Sequence, residues 1–395
     1  MTSPLPDESQ FHFDRGGPAY RLMQRIGVIR GEGPSLLRRM FWFLMITWVP
    51  MLLLSLFEGN ALGATPRESF LLDFACYARF FVAVPLLILP EVVVGPRLTT
   101  AGLHFVRGGF VRTADAPAFS AAVARAIRRR ESGWAELIIL GIALVGAQTF
   151  SVQAAYGETT RGWQLVSAPD GARLSMAGFW YHFAAVPLIQ FLGLRWIWRL
   201  GIWFAFLREM ARLDLDLVPD HADEAGGLAF LGTAHTTLSI FAFGVGSVLS
   251  ADAAFRIVYE GAGLQSFRVT FAAHLILWEL FCLGPLLLFA PALARARRAG
   301  LRTYGVLVNR YNRAFFDKWV VGPAPEGEPL LGSADIQSLA DLGNSYDRIR
   351  SMKLVPFTQR VVLQVAVVAA LPSLPLVLLV IPVTEILKLL AGALL

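Results

Sequence analysis

Seven apolar stretches recur along the chain, centred near Leu52, Val84, Ala143, Pro187, Ser239, Trp278 and Ala370. A hydrocarbon core about 30 Å thick takes roughly 20 helical residues to cross, and each stretch supplies that length. Lipid offers the backbone no hydrogen-bond partner, so these runs must close their own bonds as helices. The expected fold is therefore all-α: a polytopic transmembrane helical bundle of about seven spans, within a range of six to eight, with amphipathic cytosolic helices. Composition agrees, because 55% of the 395 residues are hydrophobic and 16% are charged. Ordinary soluble domains carry about a quarter charged residues.

The loops alternate in basic charge. Arg15, Arg21, Arg25, Arg30, Arg38 and Arg39 precede the first span. The next loop has Arg67 alone against Glu58, Glu68 and Asp73. Arg97, Arg107, Arg112, Arg125 and Arg128 to Arg130 follow span two, and Arg295, Arg297, Arg298, Arg302, Arg310 and Arg313 follow span six. Between spans three and four only Arg161 and Arg173 occur. Basic loops stay in the cytoplasm, which places the N-terminus inside. The resulting organisation is a cytosolic basic segment over 1–39, then spans one to six over 40–292 with cytosolic loops 96–133 and 208–227. A cytosolic helical loop over 293–355 and a final span with its C-terminal tail over 356–395 complete it. In that last part Pro372, Pro375 and Pro382 leave two readings open, one span with an interfacial tail or a hairpin of two short helices.

Residues 1–39 lack the early apolar core of a cleavable signal peptide, so the first span is expected to act as an uncleaved anchor. A net charge of +6 could suggest nucleic acid, but the basic residues gather beside the spans. The expected partners are the lipid bilayer, anionic lipid at the basic segments and a second copy in a homo-oligomer, with no nucleic acid. Arg far outnumbers Lys, the usage of a GC-rich bacterial genome, so the expected location is a bacterial inner membrane. Cys76 and Cys282 fall inside apolar spans, and no Cys/His group has zinc spacing. No cofactor and no metal is expected.

Ionisable residues inside spans are the sites where chemistry is expected. Glu279, at the middle of span six, is the sharpest, and its structural alternative is an ion pair with a neighbouring span. His274 lies five residues before it, roughly 140° around the helix, so the two face different neighbours. Arg195 and Arg199 share one face of span four. In one register they lie deep, pairing with Glu279 or coordinating an anion; in the other they snorkel to the interface. Arg79, Pro85, Pro90 and Glu91 on span two have the pattern of a discontinuous helix lining a cavity, while Glu91 could equally pair with Arg97. His182 and His235 read as hydrogen-bonding residues between helices or as members of a polar path.

The loop after span four holds Asp220, His221, Asp223 and Glu224. These are hard ligands without an EF-hand spacing, so a solvated turn that caps span five competes with a divalent-cation site and with a gating or sensing role. Ala116 to Arg130 reads as an amphipathic helix through Phe119, Val123 and Ile127, and Ser333 to Lys353 as another, with Ser333 or Asp335 as its N-cap. The segments Val218-Pro-Asp-His221-Ala-Asp-Glu-Ala-Gly-Gly-Leu228, Gly332-Ser-Ala-Asp-Ile-Gln-Ser-Leu-Ala-Asp-Leu342 and Met352-Lys-Leu-Val-Pro-Phe357 resemble cytosolic-side signatures of a group of bacterial inner-membrane proteins. The resemblance covers most of the chain from span one onward. It implies a shared fold and brings no activity.

Three functions fit these residues. A channel or transporter is favoured, with Glu279 and a histidine on the path and Arg195 and Arg199 setting its electrostatics. A membrane-embedded sensor or assembly partner comes second. An enzyme acting on lipid-linked substrate comes last, because no nucleophile elbow, zincin, Walker or Gly-rich phosphate motif is present.

Overall fold

The computed structural model describes residues 16–28, 36–155, 162–168, 171–322 and 327–380. A short helix, Pro18–Arg25 (α1), carries proline in its first turn, where the missing N–H costs nothing. Then come Leu36–Phe57 (α2), Phe74–Arg107 (α3), Ala116–Arg130 (α4) and Gly133–Ala155 (α5). A two-stranded antiparallel ribbon follows, Leu165–Ala168 (β1) against Gly171–Leu174 (β2), with Leu165 opposite Leu174. It is the one departure from helix among the described residues that the apolar pattern did not announce. Met176–Met210 (α6), Ala229–Glu260 (α7), Leu264–Val321 (α8), Ala334–Ser351 (α9) and Gln359–Leu379 (α10) complete the order.

Six of these helices, α2, α3, α6, α7, α8 and α10, are long and apolar enough to cross a membrane. α5 is a seventh apolar helix, whose described apolar part, Gly133–Gln148, is shorter. The protein is a multi-pass helical bundle. α8 at 58 residues is about 87 Å long at 1.5 Å per residue. That is far beyond one crossing, so its arginine-rich second half projects from the bundle.

Contacts between loops sort the bundle into two ends. At the basic end the Asp216 N–H donates to the Phe110 carbonyl (2.8 Å), Tyr304 donates to Asp220 (2.8 Å) and Lys353 meets Glu224 (2.7 Å). The segments after α3, α6 and α8 therefore share one end, as the alternation of charge requires. At the other end Glu58 accepts the Met176 N–H (2.9 Å), and the Trp163 indole donates to Asp73 (3.0 Å). Each end has its own core. Phe105, Phe206, Leu231 and Phe289 fill the basic end, and Met51, Phe70, Phe80 and Trp163 the opposite one.

The sequence-predicted amphipathic helices are both present. α4 buries Phe119 and Val123, with Ile127 half-buried. In α9 the N-cap is Ser333, whose hydroxyl accepts the Asp335 N–H at 3.2 Å. α6 stops at Met210. The final span kinks through a 3-10 turn at Leu371–Ser373, where Pro372 removes a backbone donor. The hairpin alternative turns on Pro382, which lies outside the described residues.

Candidate functional site

α3 is broken where its prolines fall. Pro85 and Pro90 each delete an N–H, and the helix responds with a π-helical stretch over Ala78–Ala83 and a fresh start at Pro90. α6 repeats the device, with a π-helical stretch over Tyr181–Ala185 just before Pro187. Such widened turns re-aim side chains and recur at functional sites. Here the two face each other, for Arg79 on α3 donates to the Tyr181 hydroxyl and lies over its ring, 5.5 Å from the centroid. Among the described residues Arg79 has no carboxylate partner. Next to it the His182 Nε2 lies 3.1 Å from the Gln164 side-chain oxygen.

The break also sets Glu91 in the first turn of a new helical segment, where three arginines converge. Arg39 on α2 approaches to 2.5 Å, Arg199 on α6 to 3.4 Å and Arg195 to 3.7 Å. Arg195 also meets Glu136 on α5 at 3.1 Å. All five side chains are at most 10% exposed. The N-terminal segment closes this layer. The Gly16 carbonyl accepts from both Arg195 and Arg199 at 3.4 Å, and Glu136 accepts the Ala19 N–H at 2.6 Å. Arginine suits such a place because its planar fork serves two acceptors at once and keeps its charge when buried. Arg195 and Arg199 are thus buried within the bundle, Arg195 paired with Glu91 and Glu136 and Arg199 with Glu91. Their partners do not include Glu279, and Glu91 takes these arginines in place of Arg97.

Between the two layers lies a cavity of about 390 Å³ within the spans. Arg79 and Gln190 are its polar groups, and Trp196, which also stacks on Arg199 at 5.3 Å, forms part of its wall. The rest is apolar, with Leu86, Phe241, Val245 and Phe281 among its lining. Arg79 and Glu91 are twelve residues apart on α3, about 18 Å along a helix axis.

The remaining candidates stand elsewhere. His235 is fully buried and fixed in one tautomer. Its Nε2 accepts from the Trp203 indole at 2.9 Å, a group that only donates, so Nδ1 carries the proton toward the Cys282 carbonyl at 2.6 Å. That arrangement is a lock between α6, α7 and α8. His274 is buried against Gly246, where an added Cβ would come within 3.0 Å of its Nε2. Glu279 is half-buried on α8, and among the described residues neither carboxylate oxygen has a hydrogen-bond partner. Its neighbours Trp278 and Phe281 line the cavity, and Glu279 does not.

The acidic loop is used up in holding the basic end together. Asp220 accepts from Tyr304, and Glu224, at a positive φ of 55°, pairs with Lys353. Asp223 accepts the N–H groups of Ala225, Gly227 and Ala229 at 2.9, 3.0 and 2.9 Å, with the His221 Nδ1 2.8 Å away. Among the described residues no three His, Cys, Asp or Glu side chains converge as metal ligands. Burial disfavours the Asp223 charge, but the donors from Ala229, Ala225 and Gly227 outweigh it and hold the carboxyl below the ordinary aspartate value of 3.8. A depressed folded value means this stabilisation is complete above 3.8 and is lost as the pH falls through the folded value. Asp223→Asn is expected to cost about 1.5–3 kcal/mol at neutral pH, the worth of bonds to a charged group. Thermal unfolding of the two proteins from pH 7 to 3 checks this, and the gap should close only at the acid end.

Sequence reasoning overlooked Arg39 and Glu136. Arg39 reads as one more topogenic charge beside Arg38, and Glu136 is not singled out. The available signal was that Glu136 opens a long apolar helix three residues in, where a carboxylate needs a partner. Comparison of the chain with family models, with curated proteins and with solved structures finds no match.

Proposed function

We propose that this protein is a channel or transporter of the bacterial inner membrane, with its N-terminus and basic end in the cytoplasm. The observation that carries the reading is the cavity between Arg79 and the Glu91 cluster, bounded by two helices whose continuity is broken inside the bundle. Broken helices beside a cavity at membrane depth are the recurring architecture of solute sites in transporters. In this reading the Glu91 cluster is the closed cytoplasmic gate, and the cavity is the site behind it. Loop charge supports the orientation, since the basic segment after α3 and the basic second half of α8 meet the same loop and so share one end. Glu279, His274, His182 and His235 flank the path without forming its wall.

Flux into proteoliposomes is the test, with wild type beside Gly193→Leu. Gly193 lines the cavity and a Cβ there meets nothing within 4 Å, so leucine enters the space without a clash at its Cβ, and the folded fraction of both proteins is matched by size-exclusion chromatography. Flux of protons, simple ions or amphipathic anions in wild type, reduced at least tenfold in the variant, is the expected result. Equal flux in both, or none in wild type, would count against the reading.

A membrane-embedded sensor or assembly partner is the second reading. It is favoured by the projecting half of α8, where Val306, Leu307 and Phe316 stand exposed among arginines. Anionic lipid, or a second copy, is the occupant such a surface suits. Copurification from native membrane with a stoichiometric partner would move the balance toward it.

A further inference from the structure

The chemistry of the cavity says more than its presence does. We infer that it binds a single-chain amphiphile with an anionic head, the head on Arg79 and the chain along the apolar wall. The inference rests on the transport reading and names its solute class. A hydrated inorganic ion would have to shed its water against a lining that is apolar except at Arg79, Gln190 and the Trp196 indole. The Trp196 donor is already spent on the Leu87 carbonyl at 2.8 Å. What the lining offers is one guanidinium and a long hydrocarbon surface.

Arg79 is available for this role. Among the described residues its polar contacts are the Tyr181 hydroxyl and ring, with no carboxylate to neutralise it. The inner arginines differ, for Glu91 and Glu136 already engage them. A guanidinium held in an apolar place gains most from an acceptor that carries charge, such as a carboxylate or a sulfonate. The cavity is also open toward the hydrocarbon. Ile197 and Val245 line it and are 59% and 45% exposed, so it opens at the surface of the bundle between α6 and α7. An amphiphile partitioned in the bilayer therefore reaches it sideways. At about 390 Å³ it lies at the small end of ligand cavities, with room for one chain.

The full-length protein in lipid nanodiscs would be irradiated with a palmitic acid that carries a diazirine on its chain, and the labelled peptides mapped by mass spectrometry. Label is expected to concentrate on residues 189–200 and 241–249. Arg79→Gln and Gly193→Leu should each reduce it about tenfold, and the matching diazirine alcohol should label about tenfold less than the acid. Even labelling of every lipid-facing helix, or labelling unchanged in both variants, would overturn the inference. So would label displaced by diacyl phosphatidylglycerol and not by unlabelled palmitate. Localised label with no flux in any assay would defeat the transport reading alone, whereas flux without localised label would defeat this inference alone.

Discussion

Glu91→Ala is expected to destabilise the protein by about 3–5 kcal/mol, the range found when one partner of a buried ion pair is removed. Arg195 then keeps Glu136, while Arg39 and Arg199 lose the Glu91 carboxylate, all within a layer at most 10% exposed. Their separations from Glu91, 2.5 to 3.7 Å, are those of direct ion pairs. The loss should appear as a large drop in the unfolding midpoint of the purified protein, followed by intrinsic fluorescence. A companion variant separates charge from packing. Glu91→Gln combined with Arg39→Gln removes one charge of each sign, and should be more stable than the two single losses would sum to. A loss below about 1 kcal/mol for Glu91→Ala, the value of an exposed pair, would show the layer to be solvated.

Gly227→Val is the second large effect, at the basic end. Gly227 holds a φ of +95°, and an added Cβ would sit 2.3 Å from the Phe110 ring. Two costs add. A branched residue in the left-handed region loses roughly 1–2 kcal/mol, and overpacking against a buried ring another 1–3 kcal/mol. Phe110 cannot yield easily, because it is 5% exposed and stacks on Phe230 at 6.1 Å. Guanidinium or thermal unfolding would read the sum, about 2–5 kcal/mol. Adding Phe110→Ala should return part of the overpacking share, so the pair would be non-additive. Full additivity would place the ring elsewhere.

What the sequence disclosed follows from the range of the interactions involved. Span positions and the two amphipathic helices were legible, because each is written in local periodicity: Phe119 and Val123 bury one face of α4 as their spacing requires. The break at Pro85 and Pro90 was legible too, since proline acts on its own helix. The partners of Glu91 were not. Arg39, Arg195 and Arg199 lie 52, 104 and 108 positions away from it. Arg195 and Arg199 stood out as charges in an apolar span, but nothing local named their partner or set Arg39 apart from the other arginines of its segment. The π-helical stretches at Ala78–Ala83 and Tyr181–Ala185 were hidden for a related reason. The prolines mark where the ladder fails, but the packing of α3 on α6 decides how the freed backbone is accommodated. Glu279 drew notice as a lone carboxylate at mid-span, yet the charge density of the bundle gathers around Glu91 instead. The acidic loop looked like a ligand cluster because side chains that cap backbone and side chains that hold metal are the same types.

The central claim is that the space between Arg79 and the Glu91 cluster admits a solute and prefers an anion. Its most direct measurement is the rate at which thiol reagents modify Gly193→Cys, in a chain whose buried Cys76 and Cys282 have been replaced by alanine. A long-chain alkyl methanethiosulfonate with an anionic head, delivered from the bilayer, is expected to react at least tenfold faster than a cationic one of the same chain length, with Arg79→Gln erasing the difference. No reaction with either reagent, or a faster reaction with the cation, would contradict the account.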